Sequence, residues 1–215
     1  MATREWSVTD RPHRPALFAG HEFSAFEGAA DPAVVAQIAH ESARELLARV
    51  RRADVTTREK AVTFADDNGI DVLAELWSKA SSHSLPGAMW RVYLIRDLIR
   101  QQGEHMAHVF EAGVRASSTG DPVIAGAPVP TSAAEVRDLA DLILHGVFSG
   151  DLADALDRAA AFCRLAALGG VAQAAEVDAH NSEQAARLTT QAARLSSMGA
   201  ELAVCARMWR AGTLD

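Results

Sequence analysis

Residues 84–116 have the sequence SLPGAMWRVYLIRDLIRQQGEHMAHVFEAGVRA. In a helix of 3.6 residues per turn, the large apolar side chains of its first half point to nearly every side, so this half needs neighbours all round. Those side chains are Trp90, Tyr93, Leu94, Ile95, Leu98 and Ile99. The second half keeps one apolar stripe, formed by Ile99, Met106, Val109 and Phe110. The pattern predicts the centre of an all-helical domain, and it leaves open whether Gly103 divides the stretch into two helices.

Length and composition indicate one ordinary globular domain. The chain has 215 residues, of which 49% are hydrophobic and 23% are charged, and domains commonly have this size and balance. Abundant alanine favours helices over sheets. The net charge is −7, so the chain lacks the concentrated basic face that binding to a phosphate backbone requires. We therefore expect no nucleic-acid partner.

The flanking sequence before this stretch divides into an arm and helices. Residues 1–30 show no sustained period and predict an irregular N-terminal arm. Asp31-Pro32 is a typical helix start, and apolar periodicity predicts a helix to about residue 52. Two shorter helices follow, at 57–67 and 70–81. Ser84 is the predicted N-cap of the central stretch.

The second half of the chain adds three helical patterns after a Pro- and Gly-rich loop, residues 117–131. Ser132 and Glu135 form a predicted capping box for a helix that ends near Gly150. A narrow stripe of small residues follows over 152–166, and Gly169-Gly170 predicts its end. The final helix places Arg187, Arg194, Glu201 and Arg207 at the edges of its apolar face or away from it. The prediction is an all-α, single multi-helix globular domain over 31–215, with about seven or eight helices.

The cysteines and the N-terminus bear on cellular location. Cys163 and Cys205 lie at apolar helical positions, where free thiols act as small hydrophobic groups, and they form no disulfide framework. The N-terminus has no apolar signal region, and the sequence has no run of about 18 apolar residues. We expect a soluble, cytoplasmic protein without a membrane partner.

The most plausible metal-binding cluster lies on the central stretch. Its members are Glu104, His105, His108 and Glu111, and carboxylates with imidazoles three or four residues apart can share a metal. His40 or His180 would have to supply further ligands from other helices. At 100° per residue, Glu104, His108 and Glu111 lie opposite the apolar stripe and point toward water. We therefore expect no metal and no cofactor, and keep a metal-binding bundle or metal-dependent enzyme as the alternative.

Large aromatic and basic side chains occupy the first half of the same stretch. Trp90 and Tyr93 are expected in the core, with a pocket or interface as the alternative. Arg91 and Arg96 are expected to be solvated or paired with acidic neighbours on their own helix. Neither expectation points to catalysis.

Four blocks of the sequence resemble an uncharacterised family of helical proteins from actinobacteria. The blocks are GIDVLAELWSKASSHSLPGAMWRVYLIRDLI, DPVIAGAP, HGVFSGDLADALDRAAAFCR and RMWRAGTL. The resemblance covers about residues 31–214, and some members carry a label linking them to the RNA polymerase β subunit. It implies a soluble bacterial helical protein and carries over no activity and no functional residues.

These observations predict a non-catalytic binding or scaffolding protein. Stripes of small residues over 152–166 and 188–209 allow close helix approach, so we expect a homodimer that uses them, with its protein partner otherwise unknown. Alternatives are the metal-binding bundle or metal-dependent enzyme and, from the resemblance, a regulator associated with the transcription machinery.

Overall fold

Helices account for all the regular structure in the described part of the chain, and it contains no strand. The computed structural model describes residues 31–53, 71–118, 121, 125 and 132–215. The prediction of an all-α fold is confirmed. The predicted arm over 1–30, the predicted helix over 57–67 and most of the loop over 117–131 lie outside the described residues.

The described residues form seven helices, from α1 to α7. Their bounds are α1 Pro32–Arg52, α2 Asp71–Ser78, α3 Leu85–Gln101, α4 Gly103–Ala116, α5 Ala133–Ser149, α6 Leu152–Asp178 and α7 Ser182–Arg210. Residues from Ala33 to Asp215 belong to one compact unit. α6 lies at its centre and packs most extensively on α7, then on α4 and α5.

The central stretch forms two helices, divided at Gln102. α3 begins as predicted, because the Ser84 hydroxyl accepts a hydrogen bond from the backbone N–H of Gly87 at 3.2 Å and donates one to the carbonyl of Ser81 at 2.7 Å. Gln102 then leaves helical geometry, with φ −128° and ψ 38°. The predicted apolar stripe that continues across this break is fully buried. The stretch therefore supplies core side chains from two helices that meet at a bend.

The prediction that Gly169-Gly170 ends a helix is wrong, because α6 runs through both glycines to Asp178. A Cβ on Gly169 would lie 1.8 Å from the carbonyl oxygen of Val109, and one on Gly113 would lie 1.9 Å from that of Leu165. The missing side chains let the backbones of α4 and α6 touch. Glycine serves close packing here, and that gain outweighs its poor helix propensity of about 1 kcal/mol.

The structure covers one of the two stripes predicted to form a dimer face. The stripe over 152–166 is buried against neighbouring helices, so the dimer contact predicted there is wrong. On α7, a Cβ on Gly199 would lie 3.0 Å from the carbonyl oxygen of Ala160, so the small residues of α7 face α6. Other apolar residues over 188–209, among them Leu188 and Leu195, are only half-buried. The homodimer and its contact over 188–209 stay predictions.

Burial explains why α6 resembles a membrane helix in composition. Within the described residues, α6 alone is long and apolar enough to cross a membrane, and 56% of its most apolar window is buried inside the protein. A core helix of a soluble protein has the same composition. This helix is therefore weak support for a membrane location.

Arg96 is a buried structural residue, and its expected solvated or same-helix position is wrong. Its residue exposure is 5%, and its Nε donates a hydrogen bond to Asp141 Oδ1 on α5 at 3.1 Å. The partner lies 45 positions away in sequence. The interaction joins α3 to α5 and leaves the opposite side of α3 facing α7.

Candidate functional site

A cleft lies between α3 and α4 on one side and α7 on the other. α6 forms its floor, at Ala166 and Gly170. Few residues of α3 approach α7 directly, so the two walls stand apart. We call this space the α7 cleft, and it has an inner chamber and an outer mouth.

The inner chamber has a volume of about 280 Å³ and largely apolar walls. Its main apolar side chains are Leu94, Leu98, Met106, Leu188, Leu195 and Met198. All of these except Met106 are only half-buried, although each faces a cavity. A ligand that covered them would remove further apolar surface from water, and each Å² removed would contribute about 25 cal/mol to the free energy of binding. The chamber is thus chemically suited to an apolar ligand.

The outer mouth has a volume of about 410 Å³. The hydroxyl-bearing residues Ser78, Thr190 and Ser197 line it, on α2 and α7. Leu94 and Met198 line both spaces, so the mouth adjoins the chamber. Together the two spaces offer leucine and methionine side chains with polar residues beside them.

An ion pair joins the two walls at the mouth. Arg91 Nε on α3 donates to Glu201 Oε2 on α7 at 2.6 Å, and the same guanidinium donates to the carbonyl oxygen of Gly87 at 2.9 Å. The side chains are 17% and 31% exposed. The carboxylate of Glu201 is therefore already neutralised by Arg91.

Arg194 supplies a second positive charge where the mouth meets the chamber. It lines both spaces and is exposed. Across the part of the chain that the structure describes, it forms no ion pair or side-chain hydrogen bond. Since Arg91 and Glu201 cancel, Arg194 leaves the mouth with a net positive charge. Sequence analysis placed it at an edge of the apolar face of α7 or away from that face, a position that does not by itself indicate binding.

Trp90 adds an aromatic wall to the mouth. The prediction of a core position holds only in part, because both Trp90 and Tyr93 are half-buried. Their rings stack with centroids 5.6 Å apart, and Trp90 lines the mouth. The alternative of a pocket position therefore describes Trp90 better.

The structure places the predicted metal-binding residues on the outside of α4. Glu104, His105 and His108 are exposed, and Glu111 is half-buried and paired with Arg115 at 2.7 Å. His180 is exposed and His40 is half-buried on α1. The described residues contain no group of three or more His, Cys, Asp or Glu side chains that could hold a metal ion. Of the α4 set, only His105 borders the cleft.

The two cysteine thiols are buried rather than exposed to a ligand. Burial raises the pKa of Cys163 to about 12 and that of Cys205 to about 11. A nucleophilic cysteine needs a lowered pKa, because the thiolate is the reactive form. Both thiols are therefore packing groups at neutral pH.

Comparison of the chain with protein-family models, with curated proteins and with solved structures finds no match. The chemistry of the α7 cleft must therefore be argued from its own residues.

Proposed function

We propose that this protein is a non-catalytic binding protein whose ligand occupies the α7 cleft. One observation carries the proposal: half-buried leucines and Met198 on two walls face an unfilled chamber above a floor of small residues. Binding sites for small molecules are concave, mostly apolar and edged by a few polar groups. The inner chamber and the outer mouth match that description.

The volumes of the two spaces are close to those of small-molecule sites. Such sites commonly have volumes of about 300–1,000 Å³, and the chamber and mouth have about 280 and 410 Å³. An alkyl chain or a small ring system is of a size to fit them.

A neutral apolar fluorophore tests the proposal. We expect N-phenyl-1-naphthylamine to bind with one saturable site and an increase in fluorescence. Met198→Trp should weaken this binding, because Met198 lines both chamber and mouth and the larger side chain would occupy part of each space. Met208→Trp is the matched control, since Met208 is half-buried on the same helix and borders neither space.

Two outcomes would contradict the proposal. One is the absence of saturable binding to a folded protein. The other is equal binding by wild type and Met198→Trp, which would place the fluorophore elsewhere. Circular dichroism of both variants establishes that they are folded.

Self-association and a cytoplasmic location remain proposals beside this one. Among the described residues, the large apolar side chains that stay exposed are those of Val34, Ile38, Leu142, Leu168 and Val171, and a dimer could draw on surfaces of this kind. The binding proposal does not depend on the oligomeric state, because the described walls and floor of the cleft come from one chain.

A further inference from the structure

We infer that the α7 cleft selects an amphiphile with an anionic head, such as an alkyl carboxylate, with its tail in the inner chamber and its head at Arg194. The inference rests on the proposed function and adds the chemical class of the ligand. It follows from the position of Arg194, which has no ion-pair partner among the described residues and lies beside half-buried leucine and methionine side chains.

The tail position follows from the chamber. Its walls are leucine and methionine side chains, and its floor is Ala166 and Gly170 on α6. A head group placed among these leucine and methionine side chains, away from Arg194, would lose its hydration without gaining a charged partner, which is unfavourable. An alkyl chain would instead cover half-buried apolar surface and gain the hydrophobic contribution.

The head position follows from charge at the mouth. Arg91 and Glu201 neutralise each other at 2.6 Å, whereas Arg194 lies between mouth and chamber without an ion-pair partner among the described residues. A guanidinium offers a fork of N–H donors that matches a carboxylate. The whole protein carries a net charge of −7, so the local charge at the mouth is opposite in sign to the net charge of the protein.

Ser197 can complete the binding of a carboxylate. It follows Arg194 by three residues on α7 and lines the mouth, and a hydroxyl group can donate a hydrogen bond to an anion. Thr190 lines the mouth too, but its hydroxyl already donates to the carbonyl oxygen of Ala186 at 2.8 Å. An ammonium head would meet Arg194 as a like charge, so charge sign should distinguish ligands that share a tail.

The test measures displacement of N-phenyl-1-naphthylamine by decanoate, decanol and decylamine, each below its micelle concentration. We expect Arg194→Gln to weaken the binding of decanoate about tenfold, which is the contribution of one charge-assisted hydrogen bond. The affinity for decanol should be unchanged. Arg194→Lys should restore most of the affinity for decanoate, because it restores the charge.

Arg187→Gln is the matched control. Arg187 is an exposed arginine on the same helix, paired with Glu183 at 2.6 Å, and it does not line the cleft. Its replacement should leave decanoate binding unchanged. A similar loss in Arg187→Gln and Arg194→Gln would reflect general surface charge and would overturn the inference.

Other results separate the inference from the proposed function. If Arg194→Gln changes the affinity for neither ligand, or lowers the affinities for decanoate and decanol equally, the preference for an anionic head is refuted and the proposed apolar site is not. If an acidic amphipathic model peptide displaces the fluorophore and decanoate does not, the occupant is a partner helix and the inference fails. If the fluorophore itself does not bind, the proposed function fails too.

Discussion

Alanine at Gly113 should destabilise the protein strongly, although alanine normally favours helices. A Cβ here would lie 1.9 Å from the carbonyl oxygen of Leu165, while real Cβ atoms essentially never approach within 3.0 Å of such an atom. α4 and α6 would have to move apart by about 1.1 Å, the difference between these distances. The contact is backbone against backbone, so no side-chain rotation can relieve it.

The expected loss is about 3 kcal/mol in the free energy of unfolding, the upper part of the usual range for overpacking a core. A Gly→Ala change at an exposed helical position would instead stabilise the protein by about 1 kcal/mol. A close contact at Gly113 and an exposed Gly113 therefore predict stability changes of opposite sign. For a chain of this length, the loss corresponds to a fall in Tm of roughly 6–12 °C. Urea denaturation and thermal unfolding followed by circular dichroism measure both quantities.

Gly146→Ala is the control for this prediction. Its Cβ would meet only the Ala155 methyl group, at 3.2 Å, so the free energy of unfolding should stay within about 1 kcal/mol of wild type. Gly169→Ala should behave like Gly113→Ala, because its Cβ would lie 1.8 Å from the Val109 carbonyl oxygen. A Gly113→Ala protein as stable as wild type would refute the close contact between α4 and α6.

Three further predictions concern the thiols, an ion pair and the oligomeric state. Cys163 and Cys205 should resist Ellman's reagent at pH 8 and react only in denaturant, and modification of the native thiols would contradict their burial. Because burial raises the pKa of Cys163 to about 12, the stabilising contribution of its thiol should be complete below about pH 9 and should fall as the pH rises toward 12. Arg164 donates to both carboxylate oxygens of Asp121 from two of its guanidinium nitrogens, Nε and Nη2. Asp121→Asn should therefore lower the free energy of unfolding by about 1 kcal/mol, whereas Arg187→Gln at an exposed pair should change it by less than about 0.5 kcal/mol; equal effects would count against this difference. Light scattering should give twice the chain mass if the homodimer prediction is right, and a mass of 22.9 kDa at micromolar concentration would contradict it.

Local signals made much of the fold predictable from the sequence. The Ser84 cap and the capping box of Ser132 and Glu135 were predictable because each involves residues within three positions. The apolar stripe over Ile99, Met106, Val109 and Phe110 was predictable because helical geometry alone defines its face. These features require no knowledge of which helix lies opposite.

The errors arose where the partner is distant in sequence. Gly169 resembles a helix end by composition, and only the presence of α4 makes it a packing residue. Arg96 and Arg91 find their acidic partners 45 and 110 positions away, so same-helix spacing suggested the wrong neighbours. Arg194 became a candidate site residue only when two spaces were found to meet beside it.

Methionine methyl NMR tests the central claim most directly, because methionines lie both inside and outside the α7 cleft. Met106 and Met198 line the inner chamber, whereas Met89 and Met208 border neither the chamber nor the mouth. With ¹³C-methyl-labelled methionine, titration with decanoate should shift the signals of Met106 and Met198 and leave those of Met89 and Met208 unchanged. Shifts confined to Met89 or Met208, or no saturable shift at Met106 and Met198, would contradict binding in the cleft.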